Sequence, residues 1–481
     1  MGTPVRRRGF LTGLTAATAV GAVGAGLPAA PAQAADSAEE GRPMARRPSD
    51  RKAALEVRAE FLHAWQGYRR LAWGRDELMP VAGKGRDFFA AGHPVGLTIV
   101  ESLDTLYLME LDDELDAAVR WCEQQLDFDI DAPFQMFETV IRMLGGLLAG
   151  YHATGNRKLL DLARDLGDRL LPAFTKSPTG IPYRHVNLRT GAVSGSTNYL
   201  AEIGTNITEF GDLSKLTGDD RYLRAGMRAY EAVISRRSKL DLLGTTLNVE
   251  TGQWTDTVSK LDPPVDSFYE YLWDGWHLLR DRQLLDWYQL LTKAVIRHQL
   301  ERHDGRVWFR HVDYTTGKPV ARTQSELTAF YAGLLAEDGV HGRLGAEYHD
   351  SWAAVVARYP LLPEGIDYTT LKALPDQKGN QLRPEYVDGA FFLWIATGQE
   401  KYRQRSWDYF QRVRTHCRVA NGYTIATDVT VSPVKLGDLS AAYWFSENMK
   451  YYWLMFAESA RFDYRNHYLS TEGNVLRGLR R

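Results

Sequence analysis

The chain has 481 residues, 44% hydrophobic and 25% charged, which suits one large domain or two ordinary ones and excludes a disordered chain. A formal net charge of -2 gives no global field to attract nucleic acid or anionic lipid, so the expected partner is neutral.

In chain order, Arg6, Arg7 and Arg8 precede Gly9-Phe10-Leu11, a small apolar run to Leu27, and Ala32-Gln33-Ala34. A basic start, an apolar stretch and a small-residue end make residues 1–34 an export signal. The adjacent arginines give it a twin-arginine character, the type that carries folded proteins. The run is too short and too rich in Gly and Ala to anchor in a membrane, and no later segment offers about 20 unbroken apolar residues. A secreted mature protein, free of the membrane, is expected. Residues 35–50 are small and polar and read as a disordered leader. Residues 51–481 read as the folded domain.

From there helical periodicity dominates. Apolar residues recur at three and four spacing through Phe61-Leu62-Trp65-Tyr68-Leu71, Phe137-Ile141-Leu144-Leu148 and Phe445-Met449-Tyr452-Phe456. The pattern predicts roughly fourteen helices between Arg51 and Arg461. Three similar joints punctuate it: Ala153-Thr154-Gly155-Asn156, Leu216-Thr217-Gly218-Asp219 and Ala396-Thr397-Gly398-Gln399. Gly suits the left-handed residue past a helix end, and Asn or Asp beside it caps the next helix. Repeated helical hairpins predict a ring or a solenoid, and about seven of them close a toroid. Longer connections carry Gly, Pro and β-prone residues, as in Ser177-Pro178-Thr179-Gly180-Ile181-Pro182-Tyr183 and Gly305-Arg306-Val307-Trp308-Phe309. Short β-hairpins at one mouth of the ring are expected there. The only cysteines, Cys122 and Cys417, are compatible with one bridge or with two free thiols.

Three carboxylates stand out. Glu138 lies in an apolar stretch where a charge is costly without a partner, although Arg142 four residues on offers an ordinary pairing. Asp266 follows Pro263-Pro264, and Ser267 with Glu270 has capping-box spacing that would explain it as helix-start chemistry. Glu385 follows Pro384 and has the same excuse. Together, acids at helix starts in a neutral protein with 13 Trp and 24 Tyr fit sugar hydrolysis. That reaction needs one acid to protonate the leaving oxygen and another to activate water. No Gly-rich nucleotide loop, HExxH or clustered Cys/His set is present in the sequence.

The chain resembles glycoside hydrolase family 47, the class I α-1,2-mannosidases, from about Arg51 to Leu476. The matching segments run in order: Phe61–Trp65 to Trp73-Gly74-Arg75-Asp76-Glu77-Leu78, Glu101-Ser102-Leu103-Asp104-Thr105-Leu106, Phe137-Glu138-Thr139 with Arg142, Asp266-Ser267-Phe268-Tyr269-Glu270-Tyr271, Leu382-Arg383-Pro384-Glu385, and Ser470-Thr471-Glu472-Gly473. The resemblance implies an all-α fold, an (α/α)7 barrel, with residues 51–481 as its catalytic domain. It implies Glu138, Asp266 and Glu385 as the catalytic acids. Glu138 is expected to be the general acid and Glu385 the base, with Asp266 assisting. It further implies Arg142, Arg383, Asp388, Glu447 and Glu472 around the sugar, and a calcium ion (Ca2+) ligated by the Thr471 carbonyl and hydroxyl.

Gly180-Ile181-Pro182-Tyr183, Ser325-Glu326-Leu327-Thr328-Ala329-Phe330 and Thr471-Glu472-Gly473 look closer to the branch of endoplasmic-reticulum degradation-enhancing mannosidase-like proteins. Against the processing enzymes, Glu326, Pro264 and Ala441 stand where that branch of the family has His, Arg and Glu. The implied activity is inverting exo-hydrolysis of terminal α-1,2-linked mannose from high-mannose glycans or oligosaccharides, by a monomer. The alternative is a calcium-dependent mannose-glycan binding module with little turnover.

Overall fold

The computed structural model describes residues 50–481. The expected export signal (1–34) and all of the expected leader but its last residue lie outside the described residues. Asp50, assigned to that leader, already belongs to the first helix, where its carboxylate faces the helix dipole favourably and pairs with Arg403 at 2.7 Å.

Helical segments separated only by a π turn, a 3₁₀ turn or a break of one or two residues merge, the one-turn helix Pro172–Thr175 aside, into two rings of seven among the described residues. The outer ring is Asp50–Leu71, Asp112–Gln125, Arg157–Leu170, Arg221–Ile234, Arg282–His298, Gly342–Val356 and Glu400–Cys417. The inner ring is 97–108, 136–154, 200–217, Asp266–Leu279, 326–337, Glu385–Thr397 and 444–457. Inner helices are apolar nearly all round because neighbours cover every face: Glu385–Thr397 buries an unbroken run from Tyr386 to Leu393. Outer helices bury one stripe, as Arg157–Leu170 does with Leu159, Leu160, Ala163 and Leu166. The ring closes where 444–457 packs against 97–108, making the (α/α)7 barrel.

The two kinds of connection differ in length and purpose. Inner helices pass to outer ones through tight joints. In the three Thr-Gly joints the threonine hydroxyl donates to the carbonyl four residues back, at 2.6–2.7 Å, and accepts the N–H two residues on. The glycines that follow, Gly155, Gly218 and Gly398, take φ of 72°, 73° and 65°. Asn156 then caps the next helix by accepting from Lys158 N at 2.9 Å.

Outer helices return to inner ones through long loops that carry small antiparallel sheets. Strands Pro133–Gln135, Thr197–Tyr199 and Thr323–Ser325 each lead directly into an inner helix. Arg306–Phe309 pairs with Leu300–His303, as expected. Residues 177–183 do not form a strand. Pro178 and Pro182 supply no N–H for a ladder, and pairing begins only at His185–Asn187. After the last inner helix, the hairpin Tyr468–Leu469 with Val475–Arg477 enters the barrel from the opposite end. Cys122 and Cys417 are both free and buried.

Candidate active site

Each inner helix carries an acid at or near the end fed by the sheet-bearing loops. Glu138, Glu202, Asp266, Glu326, Glu385 and Glu447 fall within the first four residues of theirs, and Glu101 is fifth in its own. Helix N-termini favour negative charge, so seven dipoles point their positive ends at one place. Asp266 and Glu385 are each the first residue of a helix, but neither helix is capped by a side chain. The expected capping box is absent: Ser267 Oγ instead accepts from Thr205 Oγ1 at 2.9 Å. Two of the inner helices open with π turns, Thr139–Leu144 beside Glu138 and Trp444–Asn448 around Glu447. Such turns re-aim side chains and recur at functional sites.

Five of these acids, Glu138, Glu202, Asp266, Glu385 and Glu447, line a cavity of about 220 Å³. That is below the roughly 300–1,000 Å³ of drug-sized ligand sites and suits a single sugar ring. All nine residues singled out from the sequence line it: Glu138, Asp266 and Glu385; Arg142, Arg383 and Asp388; Glu447, Glu472 and Thr471. Glu202, Glu270 and Tyr443 line it too and were passed over. The signal that could have found Glu270 is its position one helical turn after Asp266, on the same face. Glu202 was discoverable by the same rule as the others, an acid in the first turn of a buried helix.

Eight carboxyl groups therefore face two guanidinium groups, Arg142 and Arg383. Arg142 is shared three ways: Nε donates to Glu138 at 2.6 Å, while Nη1 donates to Glu472 at 2.8 Å and Glu101 at 3.2 Å. Both the ordinary pairing and the placement in a site thus hold for Glu138. The Arg142 guanidinium lies 5.5 Å from the rings of Phe88 and Tyr443. Arg383 lies 5.8 Å from Tyr443 and donates to Glu364 at 3.3 Å. Glu202 is held by Arg184 through two bonds of 2.8 and 2.9 Å.

The remaining acids are short of cations, and burial raises them. Asp266 is pushed up to about 6, with the Ser267 N–H opposing. Glu385 is pushed up to about 8, with Arg383 opposing and Glu364 and Asp266 adding to the rise. Burial, then repulsion from Asp388, lifts Glu270 well above the carboxylate range, and burial with Glu472 does the same to Glu447. Glu385 Oε2 has no hydrogen-bond partner among the described residues. Glu138 keeps 28% of its side chain exposed, so it is open to a ligand.

Thr471 sits at the tip of the C-terminal hairpin, inside the barrel. Its N–H donates to Tyr271 Oη at 3.3 Å and its hydroxyl bonds to Glu270. An all-oxygen surround with surplus negative charge fits a hard divalent cation such as calcium.

The family model for glycosyl hydrolase family 47 matches residues 60–478. Mannosyl-oligosaccharide 1,2-alpha-mannosidase IA of Sus scrofa is 30% identical over 91% of this chain and 70% of its own. Alpha-mannosidase I MNS4 of Arabidopsis thaliana is 33% identical over 88% of this chain and 69% of its own. Among solved structures, the alpha-1,2-mannosidase from Trichoderma reesei superposes with a TM-score of 0.83 at 23% identity, covering 90% of this chain and all of that one, and shares the fold. With family-wide sequence similarity, the barrel and an acid-lined cavity of one-sugar size in agreement, the chain belongs to glycosyl hydrolase family 47 and is an α-mannosidase.

Proposed function

We propose that the protein is an inverting exo-α-1,2-mannosidase that removes terminal mannose from high-mannose glycans or oligosaccharides outside the cell. The observation that carries this reading is the one-sugar cavity in which Glu138, Asp266 and Glu385 meet at inner-helix starts. A cavity that admits one ring selects a chain end. Relatives named as 1,2-alpha-mannosidases support the linkage. The basic and apolar residues 1–34 support export.

Glu138 gives its proton to the glycosidic oxygen as the bond to the leaving sugar breaks. Arg142, bonded to Glu138 Oε2, fixes the direction of that carboxyl. On the opposite face Glu385 takes a proton from the attacking water, giving a product of inverted configuration. Burial raises it to about 8, which makes the ionised carboxylate a stronger base than an ordinary Glu and makes turnover rise with pH toward that value. Asp266, ionised above about 6, assists the same water. Tyr443 and Phe330 give the ring apolar walls.

Calcium is the cofactor this donor set fits. Thr471 would hold it through its hydroxyl and carbonyl, with Glu270, Asp388, Glu447 and Glu472 acting through water. No group of three or more His, Cys, Asp or Glu stands ready as a direct metal cage among the described residues. When bound, calcium supplies the positive charge that balances these acids and grips vicinal sugar hydroxyls.

Mannose release from α-1,2-mannobiose and from a high-mannose glycan, with calcium or with chelator, tests the proposal, the first-formed anomer being read by NMR. Expected is β-mannose, lost on chelation. First-formed α-mannose would overturn inversion. Glycan binding without release would replace the enzyme with a binding module.

A further inference from the structure

Deep under the cavity the inner helices enclose a lysine. Lys450, in the helix Met449–Ala457, is 0% exposed, and Asp104, from the neighbouring helix Leu103–Leu108, is 1% exposed. Lys450 Nζ donates to Asp104 Oδ2 at 2.8 Å and also to the Gly473 carbonyl. The same Oδ2 accepts the N–H of Val475 at 2.9 Å. Taking two charges fully out of water is expensive, and such pairs often stabilise no better than apolar residues of the same size. Stability alone is therefore a weak account of this one.

Its contacts point elsewhere. Both ions hold backbone of the C-terminal hairpin, on the far side of the turn from Thr471. That turn is otherwise closed by Gly473 N donating to Ser470 O at 2.7 Å and Ser470 N donating to Asn474 O at 2.9 Å. Gly473 takes φ +67°, and a Cβ there would lie 3.0 Å from the Ser446 carbonyl, so the tip already touches the inner helix wall. Asn474 Nδ2 adds an anchor on the Ile141 carbonyl at 2.9 Å. Two hydrogen bonds within the turn, the Asn474 anchor and the two ions' bonds to Gly473 and Val475 thus fix a turn that leaves Thr471 facing the acids.

We infer that Lys450, through its pair with Asp104, is a positioning residue for the cation at the Thr471 turn: it clamps the hairpin tip so that the Thr471 hydroxyl and carbonyl converge on one point. The inference rests on the calcium reading above. Without the clamp the hairpin keeps its strands, but the tip samples orientations in which the two oxygens diverge.

The test is calcium affinity by titration calorimetry, together with the rate of calcium loss to a chelator, on the whole chain. K450M/D104L removes both charges at once, which spares the fold the cost of one unpaired ion. It should unfold cooperatively, bind calcium at least 10-fold more weakly and release it faster. K450Q, which keeps a neutral donor in place, should fall between the double variant and the parent, and serves if the double variant does not fold. Affinity within 2-fold of the parent in either folded variant would overturn the clamp while leaving the calcium reading intact. A parent protein that binds no calcium would remove both.

Discussion

The two rings of helices use charge in opposite ways. On the outer ring, arginine–carboxylate pairs such as Arg169–Asp165, Arg282–Asp286 and Arg343–Glu347 lie at the surface at 2.9–3.0 Å, where each contributes little. In the inner ring carboxylates outnumber cations, and burial raises Asp266, Glu270, Glu385, Asp388 and Glu447. The outer ring spends its residues on a soluble stripe and a buried stripe. The inner ring tolerates electrostatic strain at one end, held by seven helix N-termini and by the packing behind them. An acid thus means surface on one ring and chemistry on the other.

The strongest way to break this contrast is at the acids themselves. Glu138→Gln and Glu385→Gln should each lower kcat by about 10²–10⁴-fold, the usual worth of a general acid or base, with mannobiose turnover as the measurement. An outer-ring change such as Asp286→Asn should leave kcat where it was. Equal losses in both rings would mean that the acids matter for folding rather than catalysis.

Next comes the cost of holding Glu385. An unfolded Glu titrates near 4.5, whereas the folded one is raised to about 8. Between these values the folded state holds the extra proton, so stability falls as pH rises through that window and is level above it. Glu385→Gln should therefore raise stability in chelator, by a few kcal/mol at pH 8 given about 1.4 kcal/mol per pKa unit, and by almost nothing below pH 4.5. Urea unfolding at pH 4.5, 6 and 8 checks this. A pH-independent gain would remove the strain from the comparison.

Smaller again is the packing that keeps the inner helices close. Gly389 lets Glu385–Thr397 approach 326–337 so tightly that an added Cβ would lie 2.8 Å from the Ala329 carbonyl, a backbone atom that cannot swing away. Gly389→Ala should cost about 1–3 kcal/mol, measured by urea unfolding, and should reduce activity because Glu385 lies one helical turn away.

Much of this architecture was legible in the residues, for reasons that differ by element. The Thr-Gly joints could be read because glycine marks a left-handed residue, and Gly155, Gly218 and Gly398 all take one. Three other inner helices end equally sharply on Glu110, Arg280 and Glu458, at φ of 55°, 62° and 46°, where no glycine advertises the turn. Glu138 was visible as an acid in an apolar run. Asp266 and Glu385 were ambiguous, since an acid at a helix start is favourable whether or not a site lies beyond it. The π turns at Thr139–Leu144 and Trp444–Asn448 leave no mark in periodicity over so few residues. The i,i+4 spacing announces Arg142's bond to Glu138 but not those to Glu101 and Glu472, which are distant in sequence.

The smallest expected effect sharpens the outer half of the contrast. Arg282 opens an outer helix and pairs with Asp286 one turn on, with side chains 70% and 57% exposed. The order is the less favourable one: the cation sits near the positive end of the dipole and the anion follows it, whereas Glu before Lys is the better sequence. Coulomb attraction in water and the dipole penalty then nearly cancel. Asp286→Ala should change stability by less than about 0.5 kcal/mol, and the exchanged pair Arg282→Glu with Asp286→Lys should gain a few tenths. Both are read by urea unfolding at low and high salt, where the exchanged pair's gain should shrink. A loss above about 1 kcal/mol for Asp286→Ala would show that outer-ring charge carries stability after all.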